Sequence, residues 1–252
     1  MNTYACSVFV KNHHLLLQKA SMNIGKEEKK MTAKKKVGVI HTFLYSVEDL
    51  KTLFAEILPE VEMVNVIDDS LLKEVLAHGS PTSGVFRRIC NYAQELENLG
   101  CDAILNQCSS VGEVSEVVQK FISIPYVRVD GPMAREAVMT GKRVGVVATA
   151  HSTLGPSARL VESMATEMAR PTIVNRCFAE GAYDALLIEK SKPKHDYILM
   201  ETIDKACAEN DVVCLAQGSM LSLVEKCKDK PVPVIHSFRS GVMQFRRLLD
   251  LD

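Results

Sequence analysis

A cysteine stands where an apolar run turns polar. In AILNQCSSVGEV (103–114), Cys108 follows Asn106 and Gln107 and precedes Ser109 and Ser110. A thiol carried to the end of a strand beside hydroxyls is suited to moving a proton or to adding covalently to carbon. Ser110 and Glu113 fit a capping box, which would start a helix at about Val111 and bring unbonded N–H groups and the positive helix end to the sulfur. Both favour a thiolate. About 3% of a free thiol is ionised at pH 7, and a fall of one to two pKa units would raise this to roughly a quarter or more. A small buried hydrophobe at a sheet end is the alternative reading of the same residue.

Several other strand ends are polar. His41 and Thr42 close one apolar run, Thr149 to Thr153 (with His151) follow another, Gln217-Gly218-Ser219 a third and His236-Ser237 a fourth. Hydroxyls and loop N–H groups converging on a cleft hold carboxylate oxygens, and the expected substrate-binding set is Thr42, Ser109, Ser110, Thr149, Gln217, Gly218 and Ser219. Helix capping is the competing role for each. His41 and His236 are candidates for a second acid or base beside Cys108. The remaining seven cysteines fall in apolar or amphipathic runs without a CxxC or Cys/His spacing, so they are expected in the core of a reduced, cytosolic protein without metal.

Eight β-branched runs, at 37–42, 62–67, 102–107, 125–129, 143–149, 172–176, 211–217 and 233–237, alternate with longer helical patterns from Lys36 onward. This is the pattern of parallel strands joined by crossover helices. The chain also repeats itself: KVGVIHT (36–42) is echoed by RVGVVAT (143–149), DAILNQCSS (102–110) by DVVCLAQGS (211–219), and IPYV (124–127) by VPVI (232–235). The fold class is therefore α/β, with two pseudo-symmetric lobes. Each lobe is a four-stranded, mainly parallel sheet flanked by helices, with ligands bound in the cleft at the carboxyl ends of the strands. The expected division is an N-terminal extension at 1–35, weakly ordered and carrying the His13–His14 pair and Met31 as a second candidate start, a first lobe at 36–131 plus 231–252, and a second lobe at 132–230. Cys108 and Gln217 then occupy equivalent places in the two halves.

With 252 residues, 47% hydrophobic, 24% charged and a net charge of -1, the chain has the composition of a globular protein and no electrostatic footprint for nucleic acid. No run of 18 apolar residues suggests a membrane span. No phosphate loop, dinucleotide fingerprint or Schiff-base lysine motif is evident, and the expected chemistry uses no cofactor.

In GCDAILNQCSS (100–110), IPYVRVDGPMAREAV (124–138), GKRVGVVATAHSTLGPS (141–157) and DVVCLAQGSM (211–220), taken in order, the sequence resembles the aspartate/glutamate/hydantoin racemase superfamily from about Lys36 onward. The resemblance implies two α/β lobes with the active site between them, a homodimer, a small carboxylate-bearing substrate and a role in amino acid metabolism. It also implies that Cys108 matches the first of two catalytic cysteines, which work on opposite faces of the substrate. The second falls in LAQGSM, where this chain has Gln217, and an amide neither gives nor takes a proton in ordinary acid–base catalysis. Cys214, three residues earlier in the strand, points to the other face of the sheet. Three functions follow: a racemase or epimerase acting next to a carboxylate, with Cys108 opposed by His41 or His236; a one-cysteine decarboxylase or cis–trans isomerase of a small dicarboxylate; or a non-catalytic carboxylate-binding protein.

Overall fold

The computed structural model describes residues 34–251, and the expectations for the N-terminal extension and Cys6 lie outside the described residues. In chain order the main elements are β1 (Lys36–His41), α1 (Val47–Ile57), β2 (Glu62–Ile67), α2 (Ser70–His78), α3 (Ser83–Asn98), β3 (Ala103–Asn106), α4 (Ser115–Val118), β4 (Tyr126–Arg128), α5 (Gly131–Thr140), β5 (Arg143–Ala148), α6 (His151–Glu167), β6 (Ile173–Phe178), α7 (Ala182–Leu187), α8 (Lys192–Glu209), β7 (Val212–Leu215), β8 (Val234–His236) and α9 (Ser237–Leu248).

The strands form two four-stranded sheets, ordered β2-β1-β3-β4 and β6-β5-β7-β8. Every pairing is parallel, and corresponding pairs match in length: six residues for β1–β2 and β5–β6, four for β1–β3 and β5–β7, three for β3–β4 and β7–β8. The repeat read from sequence is thus a repeat of strand order and of register. It extends to the strand entrances. Asp102, ahead of β3, accepts a hydrogen bond from the Lys36 N–H (2.8 Å), and Asp211, ahead of β7, accepts one from the Arg143 N–H (2.9 Å).

Burial explains which runs became central strands. β3 (AILN) and β7 (VVCL) are buried throughout, as expected for strands covered on both faces, while the edge strands β2 and β6 are partly exposed. Around the first sheet, one core joins Val37, Val39 and Leu105 to Leu50 and Phe54 of α1, and another joins Ile40 and Ile104 to Leu71, Ile89 and Leu96 of α2 and α3. Around the second, Val144, Val146 and Cys214 pack against α5 and α6, and Val213 and Leu215 against Leu199 and Ile203 of α8.

The lobes exchange one helix each. α5 follows β4 of the first sheet but buries Met133, Ala134, Ala137 and Val138 in the second lobe, and α9 follows β8 of the second sheet but buries Phe238, Val242 and Phe245 in the first. The segment 231–252, expected wholly in the first lobe, is therefore divided: Val234–His236 pairs with β7 in the second sheet, and only the helix returns. The reason is that a strand and its crossover helix need not serve the same sheet when a second apolar face lies alongside. Gly241 permits the seating of α9, because a Cβ there would lie 2.5 Å from the Val129 carbonyl oxygen.

Among the described residues no helix is long and apolar enough to cross a membrane, and no cluster of three or more His, Cys, Asp or Glu side chains is set to hold a metal.

Phe245 anchors the returning helix: it is fully buried and its ring lies 6.0 Å from that of Phe54 on α1. Phe245→Ala is expected to lower unfolding free energy by about 3–5 kcal/mol, through lost burial and the cavity left between α9 and the first sheet. Urea titration reads the effect as a lower midpoint with an unchanged slope.

Candidate active site

Two matching turns define the site. β3 ends at Asn106 and leads through Gln107 to Cys108, which is extended (φ -112°, ψ 117°) and precedes a 3-10 helix at Ser109–Val114. β7 ends at Leu215 and leads through Ala216 to Gln217, which is also extended (φ -135°, ψ 144°) and precedes a 3-10 helix at Gly218–Leu223. In the first turn the Val111 N–H bonds the Cys108 carbonyl (3.2 Å), and in the second the Met220 N–H bonds the Gln217 carbonyl (3.0 Å). The N–H groups of Ser109 and Ser110, and of Gly218 and Ser219, precede the first bonded donor in each turn. Those of Ser109, Gly218 and Ser219 are surplus donors that a helix start offers to an anion, while that of Ser110 faces the Cys108 sulfur.

Between the turns lies a small, partly enclosed cavity with about 60 Å³ open to the centre of a water-sized sphere. Cys108, Ser109 and Ser110 line it from the first lobe, Thr149, Thr153, Gln217, Gly218 and Ser219 from the second, and Ser237 and Phe238 from the start of α9. Ser110 Oγ and Thr153 Oγ1 are 2.9 Å apart across the lobes, and Arg159 donates to Glu113 at 2.6 Å outside them. Gly218 lets the second turn close on the first lobe, since a Cβ there would meet the Phe238 ring at 2.5 Å and Ser46 at 3.1 Å.

The capping box does not form. Ser110 is drawn to Thr153, Glu113 to Arg159, and the α-helical part of the segment is only Ser115–Val118. The interlobe partners outcompete the local cap, and four residues carry little dipole. The turn is held instead by Asn106, whose Oδ1 accepts from the Cys108 N–H (3.1 Å) and whose Nδ2 donates to the Val111 carbonyl (3.3 Å). Beneath it, Arg128 and Asp130 form a two-pronged ion pair, 2.8 Å at each contact. Burial works to raise the Asp130 pKa, yet the Arg128 guanidinium and the nearby Ser109 hydroxyl keep it lowered. Arg128 also packs flat on Gly112, where a Cβ would overlap the guanidinium.

The thiol departs from the sequence expectation in the same way. Burial raises the Cys108 pKa, and the Thr42 hydroxyl with the hydroxyl and N–H of Ser110 and the N–H of Val111 oppose the rise without cancelling it. The resting group is therefore a neutral thiol surrounded by donors that stabilise its anion once formed. Thr42 Oγ1 is buried without a hydrogen-bond partner among the described residues; it lies near enough to the sulfur to favour its anion and does not line the cavity.

These features agree with what sequence comparison finds: the family model described as Asp/Glu/Hydantoin racemase matches residues 45–245. The chain belongs to the Asp/Glu/hydantoin racemase family. No curated protein matches the sequence. Among solved structures similar to it are allantoin racemase from Klebsiella pneumoniae (16% identity, 86% of this chain and 88% of that one, TM-score 0.66) and glutamate racemase from Francisella tularensis (16% identity, 86% and 82%, TM-score 0.67). A mutant of arylmalonate decarboxylase is also similar (13% identity, 85% and 93%, TM-score 0.56). At these identities the likeness is one of fold. The two sheets flanked by helices are the arrangement this racemase family shares.

Within that racemase frame the two histidine candidates do not reach the cavity. His41 is fully buried on β1, shares a 2.8 Å hydrogen bond with Asn65 Oδ1, and leaves Nδ1 buried without a partner; burial lowers its pKa. His236 is fully engaged: Nδ1 accepts from the Phe238 N–H (3.1 Å), capping α9, and Nε2 donates to the Gln217 carbonyl (2.9 Å). Its role is to tie the start of α9 to the second turn. His151 stacks on Phe178, ring centroids 3.9 Å apart, outside the cavity lining. Cys214 is buried in the core, as the strand periodicity requires.

Gln217 is oriented by acceptance rather than donation. Its Oε1 takes hydrogen bonds from the Thr149 N–H (2.5 Å) and hydroxyl (3.0 Å), which leaves Nε2, without a partner among the described residues, at the cavity wall. Thr153 and Ser237, named at strand ends but left out of the expected binding set, line the cavity; missed from sequence were Asn106, which holds the Cys108 turn, and an apolar wall whose members lie far apart in the chain.

Burial lowers the His236 pKa to about 4, against a partial rise from the Gln217 carbonyl. The unfolded chain therefore takes up a proton near pH 6.5 that the folded chain refuses until about pH 4. Stability from this group is full above pH 6.5 and is lost as pH falls towards 4, by on the order of 3 kcal/mol. Denaturant titrations at pH 7 and pH 4.5 are expected to show this loss, and His236→Asn should reduce it. His41 and His195, whose pKa values are also lowered, contribute the same sign and remain in the variant.

Proposed function

We propose that the protein is a cofactor-independent enzyme acting at a carbon next to a carboxylate, with Cys108 delivering a proton to that carbon from one face. The observation that carries this reading is the inequality of the two turns: a neutral thiol on one, and on its equivalent the amide of Gln217. A carboxylate seated on the surplus N–H groups and hydroxyls of the turns would have its enolate-like form stabilised by the same donors. Cys108 then gives its proton to the carbanion, and the thiolate left behind meets Thr42 and the Ser110 and Val111 groups. A resting acid facing a carbanion suits protonation after loss of carbon dioxide, as the likeness to arylmalonate decarboxylase also suggests. Two-base racemisation needs a second proton carrier, and neither histidine candidate supplies it.

One observation favours a second reading. Tyr183 of α7 lines the cavity from the other lobe, and burial with the neighbouring Asp184 raises its pKa. A phenol held protonated there would give its proton to the opposite face of the same carbanion, so that the product of decarboxylation would be racemic.

The test is proton transfer in D2O. With a substrate that turns over, the wild type is expected to place one deuterium on one face and yield a single enantiomer; a racemic product would overturn the one-faced reading in favour of Tyr183. Cys108→Ala is expected to lose about 10²–10⁴-fold in kcat with little change in thermal stability. Gln217→Cys, which sets a thiol on the second turn, is expected to introduce racemisation of that product.

A further inference from the structure

The lining draws most of its polar groups and most of its large apolar groups from different elements. The hydroxyls, N–H groups and thiol come from the turns after β3, β5 and β7 and from Ser237, with Ala150, Ala216 and Phe238 among them, while Phe43, Leu72, Leu76, Tyr183, Leu186 and Leu187 supply an apolar wall. These six come from three separate places: the loop after β1, the helix α2, and the helix α7. Among the described residues the lining contains no Asp, Glu, Lys, Arg or His. Several charges on the segments that carry the lining are committed, and Asp184, next to Tyr183, is exposed outside it. Arg128 and Asp130 hold each other beneath the Cys108 turn, Glu74 of α2 pairs with Arg88, and Lys192 at the start of α8 bonds Asp196 and Ser222.

Acceptors are also scarce. Gln217 Oε1 is occupied by Thr149, and the one buried side-chain acceptor of the lining left without a partner is the neutral amide oxygen of Gln107, which offers no charge. An α-ammonium group brings three donors and a full positive charge, and it would find hydroxyls here but no carboxylate. A second carboxylate at the far end of a side chain would rest on leucine. Each would give up water for no compensating partner, which disfavours binding strongly. An aromatic or branched alkyl group in the same place gains contact with the leucines and aromatic rings.

We infer that the substrate is a carboxylic acid, or a geminal pair of carboxylates, whose reacting carbon carries an aryl or branched alkyl group and no ammonium. The carboxylate end faces the three turns and the apolar substituent lies against Leu72, Leu76, Leu186 and Leu187. This rests on the reading that the turns hold a carboxylate, and it separates this chain from enzymes acting on free acidic amino acids.

Binding to the Cys108→Ala variant tests the substrate class without turnover. Calorimetric titration with phenylacetate is expected to give an affinity at least about tenfold tighter than with acetate, phenylglycine or aspartate. Leu186→Ala is expected to weaken phenylacetate several-fold and leave acetate unchanged. Leu72→Lys places a cation in the wall and is expected to shift preference towards aspartate and glutamate. Aspartate or phenylglycine binding as tightly as phenylacetate, or no binding of phenylacetate at all, would overturn the inference. Should phenylacetate bind as expected while wild-type protein exchanges no α-proton and decarboxylates no phenylmalonate, the substrate class stands and the one-faced reaction falls. Racemisation of an amino acid would overturn both.

Discussion

The constraint on which the molecule depends is that all strands of a sheet run the same way. A parallel sheet sends every chain out at one edge, and the segments leaving there carry unbonded N–H groups that side chains from other strands cannot all satisfy. Placing two such edges face to face turns that deficit into a site. The Cys108 and Gln217 turns are alike in backbone because the sheets behind them share strand order and register. The cradle occurs twice, and one side chain, a thiol against an amide, makes its two halves unequal.

The thiol illustrates how tertiary surroundings overrule local pattern. Sequence spacing pointed to a capped helix and an ionised cysteine. In the structure the cap residues reach across to the other lobe, the helix is a 3-10 turn, and desolvation keeps the proton on sulfur. The same donors expected to lower the pKa are present, so the direction of their effect was read correctly and its size was outweighed. An acid that is neutral at rest and stabilised after it ionises is suited to giving a proton away.

The architecture was legible in the sequence because its signals are local: eight β-branched runs, three echoes in order, and aspartates ahead of β3 and β7 that tie down the first strand of each half. The polar half of the site was legible for a related reason, since Cys108, Ser109, Ser110, Thr149, Gln217, Gly218 and Ser219 all leave strand ends and all line the cavity. Thr42 was found but serves the thiol. The histidines misled because a His at a strand end has two futures that spacing does not distinguish; His236 became a cap and His41 a buried partner of Asn65. The apolar wall was invisible, because Phe43, Leu72 and Leu186 are brought together only by the closing of the lobes.

The exchange of α5 and α9 bears on how the chain is made. The first sheet and its helices α1 to α3 emerge early, but the face that receives Phe238, Val242 and Phe245 stays uncovered until residues near 245 have been added. During synthesis the first lobe is thus an unfinished half with an apolar face open to other chains, and it is completed by the last helix. A chain cut short before α9 would present that face permanently.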